Sequence, residues 1–214
     1  MASKQQNTIL LSTAFLGTIE YFYYLNMADS VIVEQHETWP KQTYRNRTVI
    51  VTDKSRLPLV VPVKKINGNY TKTMDVTVLY HEEWHVKHWR SIQTAYQNSP
   101  FFLYYSDVVK EILYSKIESL IELNALLTKA VIKMIGIKTD IRFSNEFVKV
   151  AKDNTFDLRY KLSPKLSTTI SEFPEYTQVF FDKQPFISNA SILDLIFCVG
   201  PESKNYLEKL THIS

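Results

Sequence analysis

The stretch KQTYRNRTVIVTDKSRLPLVVPVKK, residues 41–65, joins a polar and basic cluster directly to two apolar runs. Thr48–Thr52 and Leu57–Val63 read as strands separated by the polar turn Asp53-Lys54-Ser55-Arg56, so they are predicted to pair as neighbours. In the second run Leu57, Leu59, Val61 and Val63 share one face. Pro58 and Pro62 have the other parity, and their missing N–H groups point to one side, which predicts a sheet edge. This reading sets the expected fold. It is α+β, one domain over residues 1–214, with a mostly antiparallel sheet in the N-terminal third, a helical middle section and short C-terminal helices.

Outward toward the N-terminus, Thr8–Phe15 reads as a first strand that Gly17 turns out of. The aromatic-rich Ile19–Met27 reads as a short helix, and Val31–Val33 as a short strand ending at Glu34. Lys4 ahead of Ile9, Leu10 and Leu11 imitates a signal peptide. Ser12 and Thr13 interrupt the run and no A-x-A site follows, so a buried strand and a cytoplasmic protein are expected. Toward the C-terminus, Met74–Tyr80 alternates like a strand. From Glu82 the period becomes helical, with Trp84, His88, Ser91 and Ala95 on one stripe until Asn98-Ser99-Pro100. A long helical signal runs from Ser106 to Gly136, with a break near Tyr114-Ser115. Asp140–Ser144, Phe156–Tyr160 and Thr177–Phe181 read as extended, Ser191–Val199 as a helix ended by Gly200, and Pro201 as the start of another.

Composition narrows the function. The 214 residues are 45% hydrophobic and 22% charged, enough for a sizeable core and too apolar for disorder. Only 4 glycines are present, which argues against Gly-rich phosphate loops. A net charge of +3 favours small anionic ligands over nucleic acid, which needs a denser basic field. The single cysteine, Cys198, allows no internal disulfide and no cysteine-based zinc site, and no apolar run reaches the ~20 residues of a membrane span.

Chemistry concentrates in a few places. Lys41, Gln42, Tyr44, Arg45, Asn46 and Arg47 offer planar forked donors, a point charge and amides that suit a diphosphate or carboxylate. The competing reading is a solvated loop with surface ion pairs. Residues 81–85, HEEWH, satisfy the zinc-hydrolase spacing with His81, Glu82 and His85. His81 falls before the helix and no third ligand is identified, so no metal is assigned. His88 lies on an apolar helical stripe, as a core imidazole or as a general base facing a pocket. Asp157 and Arg159 alternate on an extended segment and can pair, with Lys165 following Pro164. Asn124 interrupts a leucine seam and reads as a register-fixing buried amide. Ser191 and Asp194 fit a helix N-cap with an acid at the third position, and Cys198 fits inert core.

Several segments in order carry a resemblance: Lys41–Arg47, Leu59-Val-Val-Pro-Val63, His88-Trp-Arg-Ser-Ile92 with Ala95-Tyr96, Ser99-Pro-Phe-Phe102 with Tyr104-Tyr105, Asp157-Leu-Arg159 with Pro164-Lys165, Tyr176-Thr-Gln-Val-Phe180, Ser191-Ile-Leu-Asp-Leu195, and Gly200-Pro201. Together they resemble the WbqC-like family of bacterial proteins. The pattern leads one to expect Asn at position 198, where this chain has Cys, which weakens a cysteine nucleophile further. The family takes its name from a protein in an O-antigen gene cluster, so the resemblance implies making or modifying the sugars of surface lipopolysaccharide. It carries over no catalytic set and no cofactor. Two expectations follow. One is a transferase moving an acyl or aminoacyl group to a nucleotide-activated amino sugar. His88 and Asp157 would be its catalytic residues, and Lys41, Gln42, Tyr44, Arg45, Asn46, Arg47, Arg159 and Lys165 would hold the anionic ligand. The other is a non-catalytic sugar- or nucleotide-sugar-binding or assembly protein that uses the same pocket without chemistry.

Overall fold

A computed structural model of the chain describes residues 7–151 and 154–213. Lys4, the charged residue ahead of the first strand, lies outside them. Thr8–Ser12 (β1) leads through a short loop into helix Ile19–Met27 (α1) and back into Ser30–Glu34 (β2). Thr18 starts the helix, its hydroxyl accepting from the Tyr21 N–H. The return through a helix brings β2 in parallel to β1, with Thr8 opposite Ser30 and Ser12 opposite Glu34.

The basic stretch then enters the hairpin of Arg47–Thr52 (β3) and Ser55–Val60 (β4), paired antiparallel from Arg47 opposite Val60 to Thr52 opposite Ser55. Its turn is the pair Asp53-Lys54, tighter than the four residues expected. The expected run to Val63 breaks at Val61-Pro62. Val63–Lys64 (β5) instead pairs antiparallel with Thr77–Val78 (β6). Met74 belongs to a 3-10 turn, so the strand expected over Met74–Tyr80 shrinks to β6. β4 joins β3 alone in a two-stranded sheet, with Pro58 opposite Val49.

Three helices follow: Trp84–Tyr96 (α2), Phe102–Tyr114 (α3) and Leu120–Ile135 (α4). The break at Tyr114-Ser115 separates the last two. α4 begins at Ser119, whose hydroxyl accepts from Glu122 N–H, and ends at Gly136 in the left-handed conformation that glycine tolerates. Asp140–Phe143 (β7) and Thr155–Asp157 (β8) return to the first strands, both in parallel. Ile192–Val199 (α5) and Ser203–Lys209 (α6) close the chain. The strand expected at Thr177–Phe181 is irregular instead. The Gln178 side chain ties this segment to Ile187 and to Asp194.

The main sheet has the order β7-β2-β1-β8 and is parallel throughout. This makes the fold α/β and overturns the expectation of a mostly antiparallel sheet in the N-terminal third. The physical reason lies in β1, where Ile9, Leu10 and Leu11 are all buried, so successive side chains are covered on both faces. The hairpin is a satellite, packed against α2 and α5. Val51 N–H donates to the Tyr96 hydroxyl at 3.0 Å, and Ser191 N–H to the Val49 carbonyl at 2.7 Å. One hydrophobic cluster extends from Ile9 to Leu210 and draws on all three sheets.

Candidate functional site

From β1 the chain steps outward to β2 and then β7, whereas β8 is added on the other side of β1. Strand order reverses between β1 and β8. In open parallel sheets the crevice beyond the carboxyl ends of the strands at such a point is where ligands bind. Three strands bring polar ends there: Ser12 from β1, Glu34 from β2 and Asp157 from β8.

These ends carry an ion-pair network that sequence distance hides. Arg159, just past β8, donates from Nε and Nη2 to Asp157 at 2.7–3.2 Å. Its Nη1 reaches Glu34 Oε2 at 3.3 Å and the Val148 carbonyl at 2.5 Å. Glu34 Oε1 accepts from Ser144 Oγ at 2.7 Å and His36 N–H at 2.8 Å, so this carboxylate is fully satisfied. Arg45 forms a second centre. Nε and Nη2 reach Glu37 Oε1 at 2.9 and 2.7 Å, and Nη2 reaches Ser12 Oγ at 2.5 Å. Ser12 in turn donates to the Arg159 carbonyl at 3.3 Å, which links the two centres.

Local structure fixes Arg45 in place. Thr43 starts a 3-10 turn over Tyr44–Asn46, Tyr44 carbonyl accepts from Phe15 N–H at 2.9 Å, and Asn124 Nδ2 donates to the Arg45 carbonyl at 2.8 Å. Buried charges survive only when paired, because each unpaired ion costs several kcal/mol. Arg45 and Arg159 face three carboxylates, Glu34, Glu37 and Asp157, so the cluster carries no excess positive field. Burial pushes the Glu37 carboxyl above the usual range despite the attraction of Arg45, and its Oε2 is buried without a partner. At Asp157 burial also works upward, but hydrogen bonds from Arg159 outweigh it and hold the carboxyl below its ordinary value. Arg45 Nη1 makes no hydrogen bond to a described residue.

A void of about 10 Å³, room for roughly one water, sits against Ser12, Tyr44, Arg45 and Arg159. Thr13 and Tyr21 line this void and also a second cavity of about 330 Å³ under α4. Thr13 and Tyr21 thus form a common wall between the strand ends and a space of ligand size.

Of the residues singled out from sequence, Tyr44, Arg45, Asp157 and Arg159 meet here. The others do not. Lys41, Gln42 and Lys165 are exposed. Asn46 clamps the hairpin exit, its Nδ2 donating to the Val61 carbonyl at 2.9 Å and its carbonyl accepting from Val61 N–H at 2.8 Å. Arg47 opens β3, with its Nε buried and unpartnered. His88 packs against Phe15 and Trp84, with ring centroids 6.2 and 5.0 Å away, and lines neither cavity. Burial and the neighbouring His85 hold it down to about 4. His81 lies in the turn before α2 and His85 inside that helix. Asp194 follows the Ser191 cap but spends its side chain on Tyr176 and Gln178.

Sequence reading missed Ser12, Glu34 and Glu37. Two acids directly after a short apolar strand were the available signal, since two arginines bound for the interior require acids to pair with.

The profile of the WbqC-like protein family matches residues 13–171. The chain belongs to the WbqC-like protein family. The matched span contains Glu34, Glu37, Arg45, Asp157 and Arg159, and it stops short of Tyr176, Ser191 and Gly200. The chain is also similar to the uncharacterized protein Rv1507c of Mycobacterium tuberculosis. The two are 25% identical over 215 residues, covering 87% of this chain and 91% of that protein. No solved structure matches the chain. Within this WbqC-like chain no described helix is long and apolar enough to cross a membrane.

Proposed function

We propose that this WbqC-like protein acts in making or modifying bacterial surface polysaccharide such as O-antigen, by transferring an acyl or aminoacyl group to a nucleotide-activated amino sugar. The observation that carries the reading is the meeting of Arg45 and Arg159 at the switch point of a parallel sheet, beside a ligand-sized cavity. Arg45 Nη1, unpaired among the described residues, offers the sugar nucleotide a hydrogen-bond donor and no net positive charge, and Tyr44 borders the same void. Asp157 holds Arg159 in position and stays ionised.

An amine attacking an acyl carbonyl must lose a proton as the leaving group departs with the bond electrons. In this reading Glu37 accepts that proton, because burial raises its carboxyl above the ordinary range and its Oε2 has no hydrogen-bond partner. Neither His88, the base expected from sequence, nor Glu37 lines a cavity; Glu37 takes the role in this reading because it bonds Arg45, which borders the void, whereas His88 packs between Phe15 and Trp84. Lys41, Gln42, Asn46, Arg47 and Lys165 contribute no contact at the void.

The test has two stages. Nucleotide-diphosphate amino sugars are titrated calorimetrically against wild type and Glu37→Gln, which keeps the shape and acceptor of the side chain. Both should bind. With an acyl thioester added, mass spectrometry should show an acylated sugar from wild type and about 100-fold slower product from the variant. Undiminished turnover in Glu37→Gln removes the base assignment, and no binding to wild type removes the sugar-nucleotide reading. A second reading, binding without chemistry, is favoured by the complete pairing of Arg159, which suits a rigid recognition surface. It predicts sugar binding with no mass change under any donor.

A further inference from the structure

The 330 Å³ cavity lies between α4 and the β2–β7 half of the sheet. It is a cleft open to solvent on one side, where Phe143 and Lys129 are exposed. An apolar cavity of about 150 Å³ is enough to hold benzene. This one therefore has room for an arm of about a dozen non-hydrogen atoms, by simple proportion. Its floor is Val33, Ile141 and Phe143, which share one face of the sheet because Val33 lies opposite Phe143 and Val31 opposite Ile141. Ile132 of α4 adds to the apolar wall.

Polar groups interrupt this lining at Thr13, Tyr21, Thr128, Thr139 and Lys129, and two of them bear on a ligand. Thr139 Oγ1 is buried and has no hydrogen-bond partner. Lys129, one helical turn before Ile132, is exposed at the mouth and forms no ion pair among the described residues. An apolar slot with one uncompensated cation at its opening selects an amphiphile with a single anionic head. The slot also shares a wall with the arginine cluster. Asn124, at the start of the same helix, bonds the Arg45 carbonyl, and Thr13 and Tyr21 border both spaces.

We infer that this slot is an acyl-binding site, taking a single-chain carboxylate or its acyl form, with the chain along Val33, Ile132 and Ile141 and the anionic end at Lys129. That the bound group is the donor of the transfer rests on the function proposed above. The binding itself does not.

The experiment is a calorimetric titration of the full chain with octanoate at pH 7.5, with acetate as the armless control. Saturable one-to-one binding with Kd at or below about 1 mM is expected for octanoate, and no measurable heat for acetate. Ala125→Phe, which fills the slot from α4, and Lys129→Glu, which reverses the exposed charge, should each weaken octanoate at least tenfold without altering the melting curve. Absence of saturable octanoate binding overturns the site, as does wild-type affinity in the Lys129→Glu protein. Octanoate binding that persists when no nucleotide sugar binds leaves the slot standing and removes only the transfer.

Discussion

Acidification should destabilise this protein through His88, and the size of the effect can be worked out. His88 is 8% exposed, sits between Phe15 and Trp84, and has its Nδ1 buried without a partner. Burial first, and the neighbouring His85 second, lower it from 6.5 to about 4. A histidine whose folded value lies below its unfolded one takes up its proton more readily in the unfolded chain. Stability is then full above the unfolded value and is lost as pH falls toward the folded one. The gap between 6.5 and about 4 corresponds to about 3 kcal/mol once the pH is below both. About 2 kcal/mol of this disappears between pH 7 and pH 5. That is a sizeable part of a typical 5–15 kcal/mol domain stability.

Carboxyls that also titrate, Asp157 downward and Glu37 and Asp194 upward, would confuse a single pH series. A double difference isolates the imidazole. Wild type and His88→Gln are unfolded in urea at pH 7 and pH 5, with tryptophan fluorescence as the probe. Wild type should lose about 2 kcal/mol more than the variant over that interval. Equal losses in the two proteins would refute the buried, neutral state of His88.

Two further substitutions test the packing around the site. Asn124→Ala removes the donor to the Arg45 carbonyl and should cost about 1–3 kcal/mol in urea unfolding, while Glu122→Ala on the exposed face of the same helix should cost well under that. Gly200 has φ +59 and an added Cβ would lie 2.4 Å from the Phe101 ring, whereas at Gly136, with φ +77, it would meet nothing within 4 Å. Gly200→Ala should therefore lower stability by about 3 kcal/mol or more and Gly136→Ala by about 1 kcal/mol, a contrast that scanning calorimetry resolves.

What could be read from the chain follows how far apart the interacting residues lie. The β3–β4 hairpin, the interruption between α3 and α4 and the Gly136 cap depend on neighbours a few residues away, and those signals are in the local pattern. The parallel sheet depends on partners far away, since β8 pairs with β1 across more than 140 positions and in only three residue pairs. β7, reading Asp-Ile-Arg-Phe, and β8, reading Thr-Phe-Asp, were legible as extended segments but are too short and polar to show which strands they join. The one available clue was β1. Three consecutive buried apolar residues followed by a turn, a nine-residue helix and a second apolar strand form a βαβ unit, and the more conspicuous proline-bearing hairpin drew the reading away from it. The site obeys the same rule. Arg159 meets Glu34 across 125 positions, and Ser12 meets Arg159 across 147, so neither pair leaves a local trace. Arg45 and Arg159 stood out as charged residues next to apolar sequence, and that chemistry alone could have raised the question of their counterions. A buried guanidinium obliges the chain to deliver a carboxylate to it, and the acids closing the strand next to β1 were the nearest supply.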